Sequence, residues 1–301
     1  MRNWKSRLLL LSALASLGLP AEKTTAAPGG AREVRILFTN NSNGKLTDCN
    51  CRNDPLGGLA ERVALVREYR AKYPDVLLLD SGGYLGLNDV ERKGPVALKL
   101  MDAMGYAAMG IGDQELYRGL NRFLALFGGW SNRIINASLT SVKGERVFTE
   151  YRVFTVNGVR VAVTGLVGPE TFSFFPKERA DFGYEAPEKV LARLLPVLRK
   201  SADYVIVLSQ LGNKADEALF AGVEGVDLVI GGHSQTLLEE QITVGKCRIV
   251  QAGKGGGHVG EVILKFNTTG KPGGIAYRLL EVNDTYRIPR DIQGILDAAE
   301  K

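Results

Sequence analysis

Thr39-Asn40-Asn41-Ser42-Asn43-Gly44 closes the first apolar run of the chain, and four more segments of the same kind follow it. They are Leu79-Asp80-Ser81-Gly82-Gly83, Gly112-Asp113-Gln114-Glu115, Leu208-Ser209-Gln210-Leu211-Gly212 and Gly231-Gly232-His233-Ser234-Gln235. Each comes at or just after the end of a short Val/Ile/Leu/Ala-rich run and is dense in Gly, Ser, Asn and Asp, residues that turn a chain and favour caps. Continuous apolar runs of this length are what strands buried on both faces require. Between the runs lie helical periods, so the chain alternates strand and helix.

Working outward, Val34–Thr39 reads as a strand, Gly57–Tyr73 as a helix, and Val76–Asp80 as a second buried strand. Pro95–Met104 is the next helix, Ala107–Gly110 a short strand, Arg118–Phe127 a helix and Ile134–Ala137 a further strand. Asn157-Gly158 between Glu150–Val156 and Val159–Leu166 is a strong short hairpin signal. Glu188–Lys200 is an amphipathic helix, followed by strand Tyr204–Leu208, helix Lys214–Phe220 and strand Leu228–Ile230. The end is rich in strands, Arg248–Gln251, His258–Phe266 and Ile275–Val282, before a last helix, Asp291–Ala299. This order predicts an α/β chain with two mixed sheets packed together and helices on both outer faces.

Read together, the five segments resemble the catalytic domain of the 5′-nucleotidase family of calcineurin-like metallophosphoesterases. Leu56-Gly57-Gly58-Leu59-Ala60-Glu61-Arg62 resembles the helix start of that family, and Ile249-Val250-Gln251-Ala252-Gly253 one of its strands. The resemblance covers residues 33–285 and implies a four-layer α/β/β/α metallophosphoesterase sandwich, with residues 286–301 as a helical extension. It also implies a site for two divalent cations. At the matching positions this chain has Asn41 and Asn43 for Asp and His, Gly83 for the bridging Asp, and Gln114 for the catalytic His. Gln210 replaces a ligand His, while Asp113 stands where the family has Asn. His233 and Gln235 match ligands of the family, so Asp113, His233 and Gln235 are the metal-binding candidates. The expectation is a degenerate member with a binding or structural role, no tightly bound cofactor and at most one labile divalent cation. The alternative is a weak metal-dependent phosphomonoesterase or 5′-nucleotidase acting on nucleotides.

The 301 residues carry a net charge of +5. Arg2, Lys5, Arg7 and Lys23 against Glu22 place +3 of that in residues 1–27, where Leu8–Leu19 is apolar. A basic start, a short apolar run and then alanines read as a signal peptide, so the mature chain is expected to be periplasmic or extracellular with no membrane span. No cluster of Lys or Arg with interleaved aromatic residues supports nucleic-acid binding. Cys49, Cys51 and Cys247 complete the reading. They can be a thiol or soft-metal pair at Cys49 and Cys51, a disulfide to Cys247 with a spare thiol, or inert thiols; a Cys49–Cys51 bridge would be strained. The Cys-x-Cys loop resembles that of some exported bacterial relatives, which implies an envelope redox or multihaem cytochrome partner. Lys254-Gly255-Gly256-Gly257-His258 reads either as a glycine-rich loop whose backbone amides bind an anion or as a turn feeding the last hairpin.

Overall fold

The computed structural model describes residues 32–48, 56–88, 90–175, 180–268 and 270–300. The signal-peptide reading of residues 1–27 and the thiols of Cys49 and Cys51 therefore lie outside the described residues. Among the described residues, no helix is long and apolar enough to cross a membrane.

In the first sheet, β1 (Arg32–Thr39) lies parallel to β2 (Leu77–Asp80), which lies parallel to β3 (Ala108–Met109). The long hairpin β12 (His258–Phe266) and β13 (Pro272–Glu281) completes it antiparallel, in the order β13-β12-β1-β2-β3. The second sheet is built on β6 (Val159–Leu166), β8 (Tyr204–Ser209), β9 (Leu228–Ile230) and β11 (Cys247–Val250), all parallel. β5 (Tyr151–Val156) and β10 (Ile242–Val244) flank it antiparallel. The β5–β6 hairpin turns at Asn157 and Gly158, with φ of 49° and 73°. Two successive left-handed residues suit the twist of the strands they join.

The period of two in each strand makes the layers. Ile36, Phe38, Leu77 and Leu79 face Val161, Val163, Ile206, Leu208 and Ile230 across the gap between the sheets. Leu37 and Leu78 point the other way, into a core capped by α1 (Leu59–Lys72), α2 (Val90–Met104) and α4 (Leu120–Phe127). The last helix, α7 (Arg290–Glu300), sets Ile292 and Leu296 into the same core. On the far side, α5 (Pro187–Ser201) and α6 (Asn213–Ala221) cover Val205, Val207 and Val229. This is the expected four-layer sandwich.

The segment Ile134–Ala137 departs from expectation. It makes no full strand but crosses between the sheets. Ile135 N–H donates to Met109 O of the first sheet at 2.9 Å, and Ala137 N–H donates to Gly165 O of the second at 2.8 Å. Asn136, which resembles a glycosylation acceptor in sequence, is buried, and its Oδ1 accepts the N–H groups of Ser138 and Leu139. Two short strands, β4 (Leu139–Ser141) and β7 (Phe182–Tyr184), pair beyond it.

Phe38 reaches the inter-sheet core only because its partner across the β1–β12 ladder is Gly260. A Cβ at Gly260 would lie 2.1 Å from the Phe38 ring. Gly260→Ala should therefore displace the ring and destabilise the fold by about 1–3 kcal/mol. Urea unfolding measures this, and an unchanged midpoint would show that the ring is not confined.

Candidate functional site

The parallel strands β1, β2 and β3 of one sheet and β8, β9 and β11 of the other bring their carboxyl ends to one edge. Loops at such an edge form the binding crevice of open α/β sheets. All five segments meet there. Asn41 N–H donates to Gly82 O and Asn43 N–H to Gly83 O, both at 2.9 Å, so the first two loops run together. Ser81 Oγ donates to Gly231 O at 2.9 Å and ties the first sheet to the second.

Backbone strain concentrates here. Five non-glycine residues among those described have positive φ, and four are Asn41 (46°), Asn43 (54°), His233 (62°) and Gln235 (57°). The left-handed region costs L-residues energy and persists where surrounding contacts enforce it. The loops are thus shaped to present side chains at positions 41, 43, 233 and 235.

The side chains presented are mostly neutral. Gln114 Nε2 donates to Asn43 Oδ1 at 2.9 Å, joining two of the positions that the resemblance matches to histidine. Asn41 Oδ1 accepts a hydrogen bond from Asn40 Nδ2 at 3.0 Å, and Asn40 Nδ2 also donates to Gly253 O. Asp113 and His233 come together, with Oδ1 and Nδ1 3.7 Å apart and both side chains partly exposed. Gln235 is placed on the same turn by its neighbours: Gln251, oriented to satisfy its surroundings, accepts the N–H groups of Gln235 and Thr236. Gly83 has φ of 74°, and a Cβ on it would lie 2.8 Å from Asn41 Nδ2. An aspartate at that position would be strained in backbone and crowded at once.

Gln210 is enclosed. It has no solvent exposure, and neither Oε1 nor Nε2 has a hydrogen-bond partner among the described residues. Its amide packs where Cβ atoms on Gly82, Gly112 and Gly232 would stand, at 3.1, 2.5 and 2.1 Å. Three glycines from three loops thus make room for one glutamine at the centre of the edge.

Beneath this layer lie the residues that sequence reasoning left without a role. Glu115 accepts backbone hydrogen bonds from Gly83, Leu85 and Gly112, each at 2.9 Å, and so clasps the second loop to the third. Burial pushes its carboxyl up to about 7, against the pull of these donors. Arg62, at the start of α1, is fully buried; it donates to Tyr106 Oη at 3.1 Å and to Ser42 Oγ at 2.6 Å. Tyr106 Oη lies 2.8 Å from Thr39 Oγ1, which donates to Asp80. Asp80, whose other oxygen accepts Gly82 N–H, is raised by burial to about 6. The signal for Arg62 was its place in the Gly57–Arg62 helix start, and for Glu115 its place three residues after Gly112.

Cys247 sits at the opposite end of the second sheet. It opens β11, is buried and free, and burial pushes its thiol up to about 12. It is a core residue without access to the crevice.

Asp216 in α6 accepts a hydrogen bond from Ser209 Oγ through Oδ1, leaves Oδ2 unpaired, and is pushed by burial up to about 8. An unfolded aspartate titrates near 3.9, so between about pH 4 and 8 the folded chain holds a proton that the unfolded chain has released. Stability therefore falls as pH rises through that window and levels off above it. Asp216→Asn keeps an acceptor for Ser209 and should flatten this part of the fall in urea titrations between about pH 5 and 8. An undiminished slope would assign the effect elsewhere.

Comparison with known proteins follows this geometry. No protein-family model matches the chain. Over 243 residues, 75% of the chain, it is 30% identical to a 5′-nucleotidase of Diplobatis ommata. It is 31% identical over 217 residues, 68% of the chain, to a snake venom 5′-nucleotidase of Crotalus adamanteus. The chain spans only 41% and 36% of the lengths of these two relatives. Among solved structures, the sulfate thiohydrolase SoxB of Thermus thermophilus superposes with a TM-score of 0.77 at 20% identity, covering 88% of this chain and 60% of that one. A 5′-nucleotidase precursor, also from Thermus thermophilus, gives 0.76 at 23% identity, with 89% and 58% covered. The calcineurin-like phosphoesterase YfkN of Bacillus subtilis gives 0.73 at 20% identity and covers 90% and 100%.

Proposed function

This chain belongs to the 5′-nucleotidase family of calcineurin-like metallophosphoesterases, and from that premise we propose that it is an exported, catalytically degenerate member whose crevice binds and does not hydrolyse. One observation carries the reading. Of the eight positions matched to metal or catalytic residues, Asn41, Asn43, Gly83, Asp113, Gln114, Gln210, His233 and Gln235, one is a carboxylate and one an imidazole.

Two divalent cations held close together need anionic or imidazole donors and a carboxylate between them. These residues do not fit such a pair. Gly83 offers no donor, the Gln210 amide fills space between the loops, and among the described residues no three His, Cys, Asp or Glu side chains could hold a metal together. One labile divalent cation at Asp113, His233 and Gln235 is the most that this donor set supports. Gln114 can donate a hydrogen bond to a ligand but cannot protonate a leaving group at neutral pH. The crevice is therefore suited to holding a polar ligand through amides.

A second reading rests on the left-handed backbone at Asn41, Asn43, His233 and Gln235. Loops still bent to present side chains fit a weak phosphomonoesterase or nucleotidase better than a purely structural protein. Both readings meet in one experiment. The purified mature protein should retain less than one tightly held Mn, Zn or Fe ion per chain by elemental analysis. The same sample should hydrolyse AMP and p-nitrophenyl phosphate at near background rates with added Mn²⁺, Co²⁺ or Mg²⁺, because losing parts of such a unit costs orders of magnitude. A robust rate abolished by His233→Ala would establish the enzyme, and two metal ions surviving dialysis would overturn the degenerate reading.

Export rests on the basic and apolar pattern of residues 1–27. Amino-terminal sequencing of the protein from an envelope or culture-fluid fraction should begin after Ala21 or Ala26. Recovery only from the cytosol with Met1 intact would refute it.

A further inference from the structure

α5 and α6 lie on the outer face of the second sheet, with a groove of about 700 Å³ between them. The sequence of α6 leaves this room. Phe220 and Asp216 point into the sheet and are buried, while Ala215, Ala218 and Gly222 on its flank are small. From α5 come Leu191 and Leu195, and Leu211 lines the end near the strand edge. At the far end Arg199 Nε donates to Gly225 O at 2.9 Å and bridges α5 to the turn after α6.

Charge identifies the occupant. Glu170, Glu188 and Glu224 line the groove and no Lys or Arg does. All three carboxylates are exposed, and none forms an ion pair among the described residues. The nearby arginines are engaged: Arg193 binds Glu150 and Glu185, and Arg199 binds Asp227. An apolar trough bordered by unpaired anions favours an apolar surface flanked by cations, since complementary charge fixes register and rejects like-charged partners. The α5 wall runs from Pro187 to Leu195, roughly 12 Å along the helix axis and so about two turns of a docked helix. Small residues on the α6 side let a helix approach closely.

We propose that this groove docks a basic amphipathic helix of a partner protein, its apolar stripe on Ala192, Ala218, Leu219 and Val223 over the buried Leu191 and Leu195, and its Lys or Arg residues on Glu170, Glu188 and Glu224. Leu211, the residue after the enclosed Gln210, underlies one end of the groove, so the groove ends at the border of the crevice.

Two synthetic helical peptides with the same leucine face, one flanked by lysine and one by glutamate, test this by fluorescence anisotropy with the whole mature protein. The lysine peptide should bind at least about tenfold more tightly at low salt and weaken as salt rises. Ala218 is exposed, so Ala218→Arg fills the groove without entering the core, and circular dichroism checks that the fold is kept. That variant should abolish binding, and the double variant Glu188→Lys with Glu224→Lys should reverse the peptide preference. Failure of both peptides to bind, equal binding of the two, or lysine-peptide binding that survives Ala218→Arg would each overturn the proposal.

Discussion

The guanidinium of Arg62 has no exposure to water and, among the described residues, no carboxylate in direct contact, yet it sits beneath the loops of the crevice. Its charge is met by hydroxyls, Tyr106 on one nitrogen and Ser42 on another, with Asp80 reached through Thr39. Removing one partner of a buried charge costs far more than a surface pair is worth. The network therefore locks the first helix to the first two strand ends and to the turn before β3. It also explains a glycine in the loop that leads into the last hairpin, because a Cβ at Gly256 would lie 2.6 Å from Arg62 Nη2. The glycine-rich run 254–257 is thus a close fit over a buried cation.

With this base fixed, the loops above adopt backbone conformations that their residue types suit. Left-handed backbone is tolerated best by glycine and next by asparagine, whose short side chain bonds locally. Asn41, Asn43 and Gly83 are those residue types at those conformations. The neutral residues at these positions are also ones that relax the backbone. His233 and Gln235 gain no such relief, and they are the two positions that the resemblance matches to ligands of the family.

Much of the fold was legible because its strands are short, apolar and separated by turn residues. Leu228–Ile230 and His258–Phe266 have the bounds read from sequence, and the Asn157-Gly158 hairpin forms as its residues require. α2 begins at Val90, five residues before Pro95, so the proline lies inside the helix and forgoes the bond to the carbonyl four residues back. β4, β7 and β10 are three residues long and too brief to show a period. In the site, the matched positions were visible one by one. The enclosure of Gln210, the Asp113–His233 contact and the Arg62 network were not, because each depends on loops brought together from distant parts of the chain.

The segment Ile134–Ala137 gives one hydrogen bond to each sheet within three residues. A connector of this kind spans the plane along which the two sheets pack. Opening either sheet strips backbone partners from the other, and buried backbone groups without partners are costly. Drawing the sheets apart therefore costs backbone hydrogen bonds as well as the apolar contacts between them.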